Sequence, residues 1–262
     1  MTQGADVMRD LFLSLADELC VSVEALIETA NQLTREKGLQ ANIRSRVLIG
    51  LALKIESPFR SLMDDSRRGR GEAMHHLKTM VESFLYFYLV LGDHSDTTAK
   101  QLITEVCYRK KKFVRDNPEY AQSQGEDLDF WPAMLNEFES QGIRRISKKS
   151  LKDLVSHSVE LKKWYSAVYA AACEPAHIAD LIDFMPDPEN PVIAIGVELS
   201  ADLRARLAIH HGLATMFATL HALLDGNEIG LSMGQLVTFE TRYEEIRSRK
   251  HPALRPLGEY ST

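Results

Sequence analysis

"KTMVESFLYFYLVL" (residues 78–91) decides the fold. Its apolar side chains neither alternate as in a half-buried strand nor keep to one helical stripe. A run of this kind, closed by Gly92 and Asp93, reads as a helix of about 72–91 that is apolar nearly all round. Its strongest apolar part, residues 80–91, is too short to cross a bilayer, which needs about 20 residues. Such a helix must be wrapped by others, so the chain is expected to be an all-α bundle.

Outward from this centre the same 3.6-residue period recurs. Val7, Leu11, Leu15, Leu19, Leu26 and Leu33 mark a first helix that closes near Gly38. Ile43, Val47, Leu51, Ile55, Phe59 and Leu62 mark a second, with Pro58 as a candidate kink. After the central helix, Ser95 or Asp96 is placed to cap a helix of roughly 96–116. A polar connection over 116–130 leads to a short helix at about 131–141 and a basic loop at 142–150. Ser150 then caps a helix running to Cys173 or Glu174, and Pro175 opens another at 175–184. Residues 185–200 read as the least helical part, with "VIAIG" as a brief strand or extended segment. Helices at about 201–225 and 231–250 finish the pattern, and the tail reads as irregular. The expectation is one domain over 1–262, a bundle of seven to nine helices.

Composition agrees with a globular chain: 45% of the 262 residues are hydrophobic and 26% are charged. The net charge of −6 speaks against a protein coated in nucleic acid, although local basic clusters remain open to it. Cys20, Cys107 and Cys173 are odd in number and far apart, which gives no disulfide framework and suits a reducing cytoplasm. The start, "MTQGADVMRDLF", lacks the pattern of a secretory signal. No membrane association is expected.

One acid interrupts the central helix. Glu82 falls among apolar neighbours, and a carboxylate buried alone is costly. Steps of four, three and four put His75, Thr79, Glu82 and Tyr86 on one stripe, a polar seam. A second seam runs through "WYSAVYAAACEPAHIADLIDF" (164–184), where Tyr165, Tyr169 and Cys173 repeat every four residues and His177 follows the break after Glu174. A contact of Glu82 with His177, with Tyr165 or Tyr169 beside it, would satisfy all of them. The seam reads either as a structural network that fixes helix register or as a functional pocket. Glu174 and His177 have the Glu-x-x-His spacing of di-iron bundles, but only one such pair exists, and His157 with Glu160 has the reverse order. No metal and no cofactor is expected.

Arginine and histidine recur together. Arg206 and His210 lie one turn apart, and Arg204 and His211 two turns apart; Arg70 precedes His75 and His76. An arginine that stabilises phosphate beside a histidine that moves protons suits metal-independent RNA cleavage. "RRGR" (67–70), "YRKKKF" (108–113) and "RRISKK" (144–149) would make a phosphate-binding stripe if the fold brought them together, and are otherwise solvated faces. No Walker A loop, GxGxxG, GxSxG or HExxH motif is present.

"LKTMVESFLYFYLVL" (77–91) and "WYSAVYAAACEPAHIADL" (164–181) together resemble an uncharacterised bacterial all-helical family, a domain of unknown function, and through it loosely the HEPN (higher eukaryotes and prokaryotes nucleotide-binding) proteins. The resemblance covers roughly residues 45–225. It implies a HEPN-like core and a role in bacterial stress or phage defence, by metal-independent RNA cleavage or nucleotide binding. Glu82 and His177 match the two positions that stand out in the family. His177 or His211 would then be the general acid/base, with Arg204 and Arg206 on phosphate. The HEPN pattern also has a polar residue directly after its arginine, where this chain has Ala205 and Gly71. A homodimer is implied by the resemblance. The other class of function is a non-catalytic helical module that binds a protein partner or a small ligand.

Overall fold

The computed structural model describes residues 3–20, 43–125, 129–146, 150–173, 191–225 and 233–248. The protein is an all-α bundle, with no strand among the described residues. Helix α1 spans Gln3–Cys20, α2 Ile43–Arg67 and α3 Ala73–Leu91. Next come α4 (Thr97–Asp116), α5 (Pro118–Ser123) and α6 (Phe130–Ser140). The chain continues through α7 (Leu151–Val155), α8 (Val159–Trp164), a π-helical turn (Tyr165–Tyr169) and α9 (Ala170–Cys173). Two long helices follow, α10 (Pro191–Asp225) and α11 (Met233–Ser248).

Helices α2 and α3 pair along their lengths, and α10 packs across both. Leu77, Met80, Val81, Leu85 and Phe87 of α3 are fully buried, as an apolar helix without a polar face requires. Leu48, Ile55, Phe59 and Leu62 meet them from α2, and Ile209, Leu213 and Leu220 from α10. Gly212 lets α10 come close to α2: a Cβ there would lie 3.1 Å from a Leu62 methyl and 3.5 Å from the Phe59 ring. Buried hydroxyls stitch the same interface. Ser66 donates to the Ala205 carbonyl at 3.1 Å, and Tyr88 to the Ala218 carbonyl at 3.2 Å. Arg44, at the start of α2, donates to the Leu91 carbonyl at 2.7 Å, supplying a cation and a donor to the C-terminal end of α3. Helix α1 is tied to its neighbours by Arg67–Asp17 and Arg242–Glu18 ion pairs.

Four local expectations differ from the structure. "VIAIG" is not extended: it lies in the first turns of α10, which begins at Pro191, a residue whose fixed φ suits a helix start. The helix expected from Ser150 to Cys173 is broken. Ser150 forms a capping box with Asp153, but α7 ends at Val155, and Ser158 caps a new helix by accepting the Leu161 N–H at 3.3 Å. The connection 116–130 contains α5, opened by Pro118. Asp96 does not cap α4 with its side chain; it takes a left-handed conformation (φ 60°). Asp93 reaches forward instead, accepting the Thr98 N–H at 2.6 Å and the Thr98 hydroxyl at 2.7 Å. Ser95 adds a long contact of 3.4 Å with the Thr97 N–H. No helix among the described residues is long and apolar enough to cross a membrane.

Candidate functional site

Beyond the break at 156–158, α8 packs against α3, and Leu161 and Trp164 line a cleft there. Phe84 and Tyr88, one turn apart on α3, form the opposite wall; the Phe84 ring lies 4.7 Å from both Tyr88 and Trp164. The result is a cleft of about 580 Å³. Phe84 is buried at its floor, whereas Tyr88 and Trp164 are half-buried. Leu89, Leu154 and Ala218 complete the apolar lining, and Asp93, His157 and Glu160 supply polar groups. Burial would raise the Asp93 carboxyl, but hydrogen bonds from Ser95 and Thr98 outweigh it and hold the group well below the usual carboxylate range. Glu160 is exposed and has the Lys163 ammonium 3.5 Å away. A second cleft of about 350 Å³ lies on the other side of Tyr88 and Ala218, against α11.

The residues singled out in the sequence fall into three places. On α3, Glu82 is half-buried, and its charge is felt by Tyr86, Tyr169 and Arg109. Burial first, and then Glu82, raises the Tyr86 phenol; the same two causes, with Cys173, raise Tyr169. Tyr165 and Tyr169 stack with centroids 5.2 Å apart on the π turn, which packs against α3. Structures often place π turns at functional sites. His75, the far end of that seam, is exposed. His177 and Glu174 lie outside the described residues, and so does the contact expected between Glu82 and His177.

The arginine–histidine group on α10 is drawn into the bundle. His210 is only 8% exposed; its Nδ1 is 3.2 Å from the Tyr243 hydroxyl, and its ring stacks on Tyr243 and leans on Phe12. His211 is half-buried, and burial pushes its imidazole down to about 4. Such a ring is neutral near pH 7 and cannot donate a proton as an imidazolium there. Arg204 and Arg206 are half-buried on either side of the wholly buried Ala205. At the α2–α3 turn, Asp65 meets the His76 ring at 3.2 Å and Arg70 at 3.7 Å.

Two of the three basic segments meet, "YRKKKF" and the described part of "RRISKK". "RRGR" belongs to the α2–α3 turn. "YRKKKF" lies on α4, where Arg145, from the loop after α6, stands 3.6 Å over the Tyr108 ring. Among the described residues no group of three or more His, Cys, Asp or Glu is placed to hold a metal ion. Of the cleft residues, sequence reasoning had noted Tyr88 only as core, His157 and Glu160 only as a reversed metal pair, and Asp93 only as a helix stop. Phe84 with Tyr88 at a spacing of four was the available signal; nothing in the sequence pointed from them to Trp164. Comparison with family models, curated proteins and solved structures finds no match to this chain, so no relative assigns the site.

Proposed function

We propose that the chain is a non-catalytic helical module that binds a small ligand in the cleft between α3 and α8. The cleft itself carries this reading: about 580 Å³, three aromatic walls and a few polar groups at its edge, within the range of roughly 300–1,000 Å³ that small-molecule sites occupy. The Glu82–Tyr86–Tyr169 network serves it structurally, fixing α3 against the π turn. In a thermal-shift screen of drug-sized compounds, stabilising ligands should lose their effect in Trp164→Ala, which removes one wall. Hits that persist unchanged in Trp164→Ala would overturn the assignment to this cleft.

A second reading, contact with RNA or a nucleotide, is favoured by the outward half of α4. Tyr108, Lys112 and Arg115 follow one another at helical spacing, and Tyr108 and Phe113 are each 38% exposed. Exposed rings beside cations suit a single strand, whose bases stack while its phosphates pair. Binding of a labelled RNA oligomer should fall steeply with salt and weaken in Lys112→Glu; degradation in EDTA that is lost in His211→Ala would restore the nuclease reading.

A further inference from the structure

We infer that the α3–α8 cleft takes an organic cation, a molecule with an aromatic or branched apolar body bearing an ammonium group. This rests on the reading of the cleft as a ligand site and names the class of its ligand.

The walls supply the first argument. Tyr88 and Trp164, both half-buried, border the cleft, and the buried Phe84 ring backs them, 4.7 Å from each. Ring faces carry negative electrostatic character, so a cation among them is attracted wherever water is displaced, and tryptophan is the best of the three. The apolar floor accepts the body of the molecule and excludes a compact, strongly hydrated ion.

The edge supplies the second. Among the described residues, the carboxylates lining the cleft are Asp93 and Glu160, with the His157 imidazole beside them, and no lysine or arginine lines it. Asp93 keeps its charge because the Ser95 and Thr98 donors hold its carboxylate in place, Ser95 by an N–H at 2.8 Å and a hydroxyl at 2.5 Å. Lys163 offsets part of the Glu160 charge, but as an exposed ion pair this contact is weak and exchangeable. The neighbouring cleft repeats the sign: Glu240 and Glu244 line it with Phe217, Tyr243 and His221, and among the described residues no lysine or arginine does. The two clefts share Tyr88 and Ala218, so the carboxylates of both lie along one continuous face of the bundle. An anionic ligand would meet these carboxylates, and among the described lining residues only the His157 imidazole could carry a charge to answer it.

Three soluble probes that share a benzyl group and differ in charge test the inference: benzyltrimethylammonium, benzyl alcohol and phenylacetate. Each is titrated into the full-length chain carrying Trp131→Phe, so that emission reports on Trp164. The expected result is binding of the cation at least tenfold tighter than of either other probe, with the preference reduced by Glu160→Gln and by added salt. Equal binding of the alcohol or the carboxylate would overturn the cationic class and leave the cleft as a ligand site. Failure of all three to perturb Trp164 or to bind by calorimetry would overturn both together.

Discussion

Two places in this molecule are built from the same parts and differ in access to water. Around His210, the rings of Phe12 and Tyr243 close on an imidazole, Phe217 backs Tyr243, and Phe12, Tyr243 and His210 are each less than a tenth exposed. Around the α3–α8 cleft, Phe84, Tyr88 and Trp164 stand as closely, yet they leave a space of about 580 Å³. In the first, a polar group surrounded by rings finds its hydrogen bond inside the fold and becomes part of the core. In the second, Phe84 is buried as deeply as Phe12, but Tyr88 and Trp164 are half-buried and border an opening with polar groups at its edge. Residue type does not separate the two places.

The comparison can be broken by substitution. Phe12→Ala removes a wholly buried ring and should cost about 3–5 kcal/mol, seen as a large fall in Tm without any effect on ligand binding at permissive temperature. A loss under 1 kcal/mol would mean that the His210 cluster is not a closed core. Gly212→Val forces a branched side chain against Leu62 and Phe59 and should cost about 1–3 kcal/mol in chemical denaturation. Tyr243→Phe deletes the hydroxyl facing His210 Nδ1, and the expected loss is about 1–2 kcal/mol. At the small end, Trp164→Ala should cost about 1 kcal/mol, the scale of an aromatic pair, while abolishing ligand binding. A stability loss as large as that of Phe12→Ala would make the cleft a core region too.

Acid sharpens the same contrast. His211 is lowered to about 4 in the fold and titrates near its ordinary 6.5 when unfolded. Between those values the unfolded chain binds the extra proton, so stability is full above about 6.5 and falls as pH drops toward 4. Asp93 is also depressed, but as a carboxylate its contribution is complete above the ordinary carboxyl range and is lost only as pH falls below that range toward the lower value it has in the fold. Denaturation curves of His211→Asn should therefore flatten between pH 6.5 and 4, and those of Asp93→Asn only below that. An unchanged slope in His211→Asn would place its ring in water.

Much of the fold was legible because burial leaves a strong mark on sequence. The α3 run has no polar face to spare, and the chain predicts its boundaries within a residue of Ala73–Leu91. Breaks without proline or glycine were not legible. Nothing in "VSHSVEL" separates a continued helix from the two capped ones, since Ser158 caps only once the chain has turned. The "VIAIG" segment shows the opposite error: β-branched residues suggested a strand, but no partner strand exists among the described residues, and the backbone joined the helix that follows. The site was harder still. Glu82 and Tyr169 were named from their periodicity, and the structure puts them in electrical reach of each other. The cleft depends on residues 84, 88, 93, 157 and 164, whose convergence is set by packing angles that periodicity does not encode.

The π turn at Tyr165–Tyr169 amounts to one residue more than a regular helix would hold over that stretch. A bulge of this kind absorbs its extra residue locally, so the helix beyond it keeps the facing that a regular helix would give. Deleting one alanine within it, at position 167, would leave Tyr169 and Cys173 on the same side of the rod, whereas the same deletion in a regular α-helix would turn everything beyond it by about 100°. At this turn, chain length can change without re-aiming the side chains that follow.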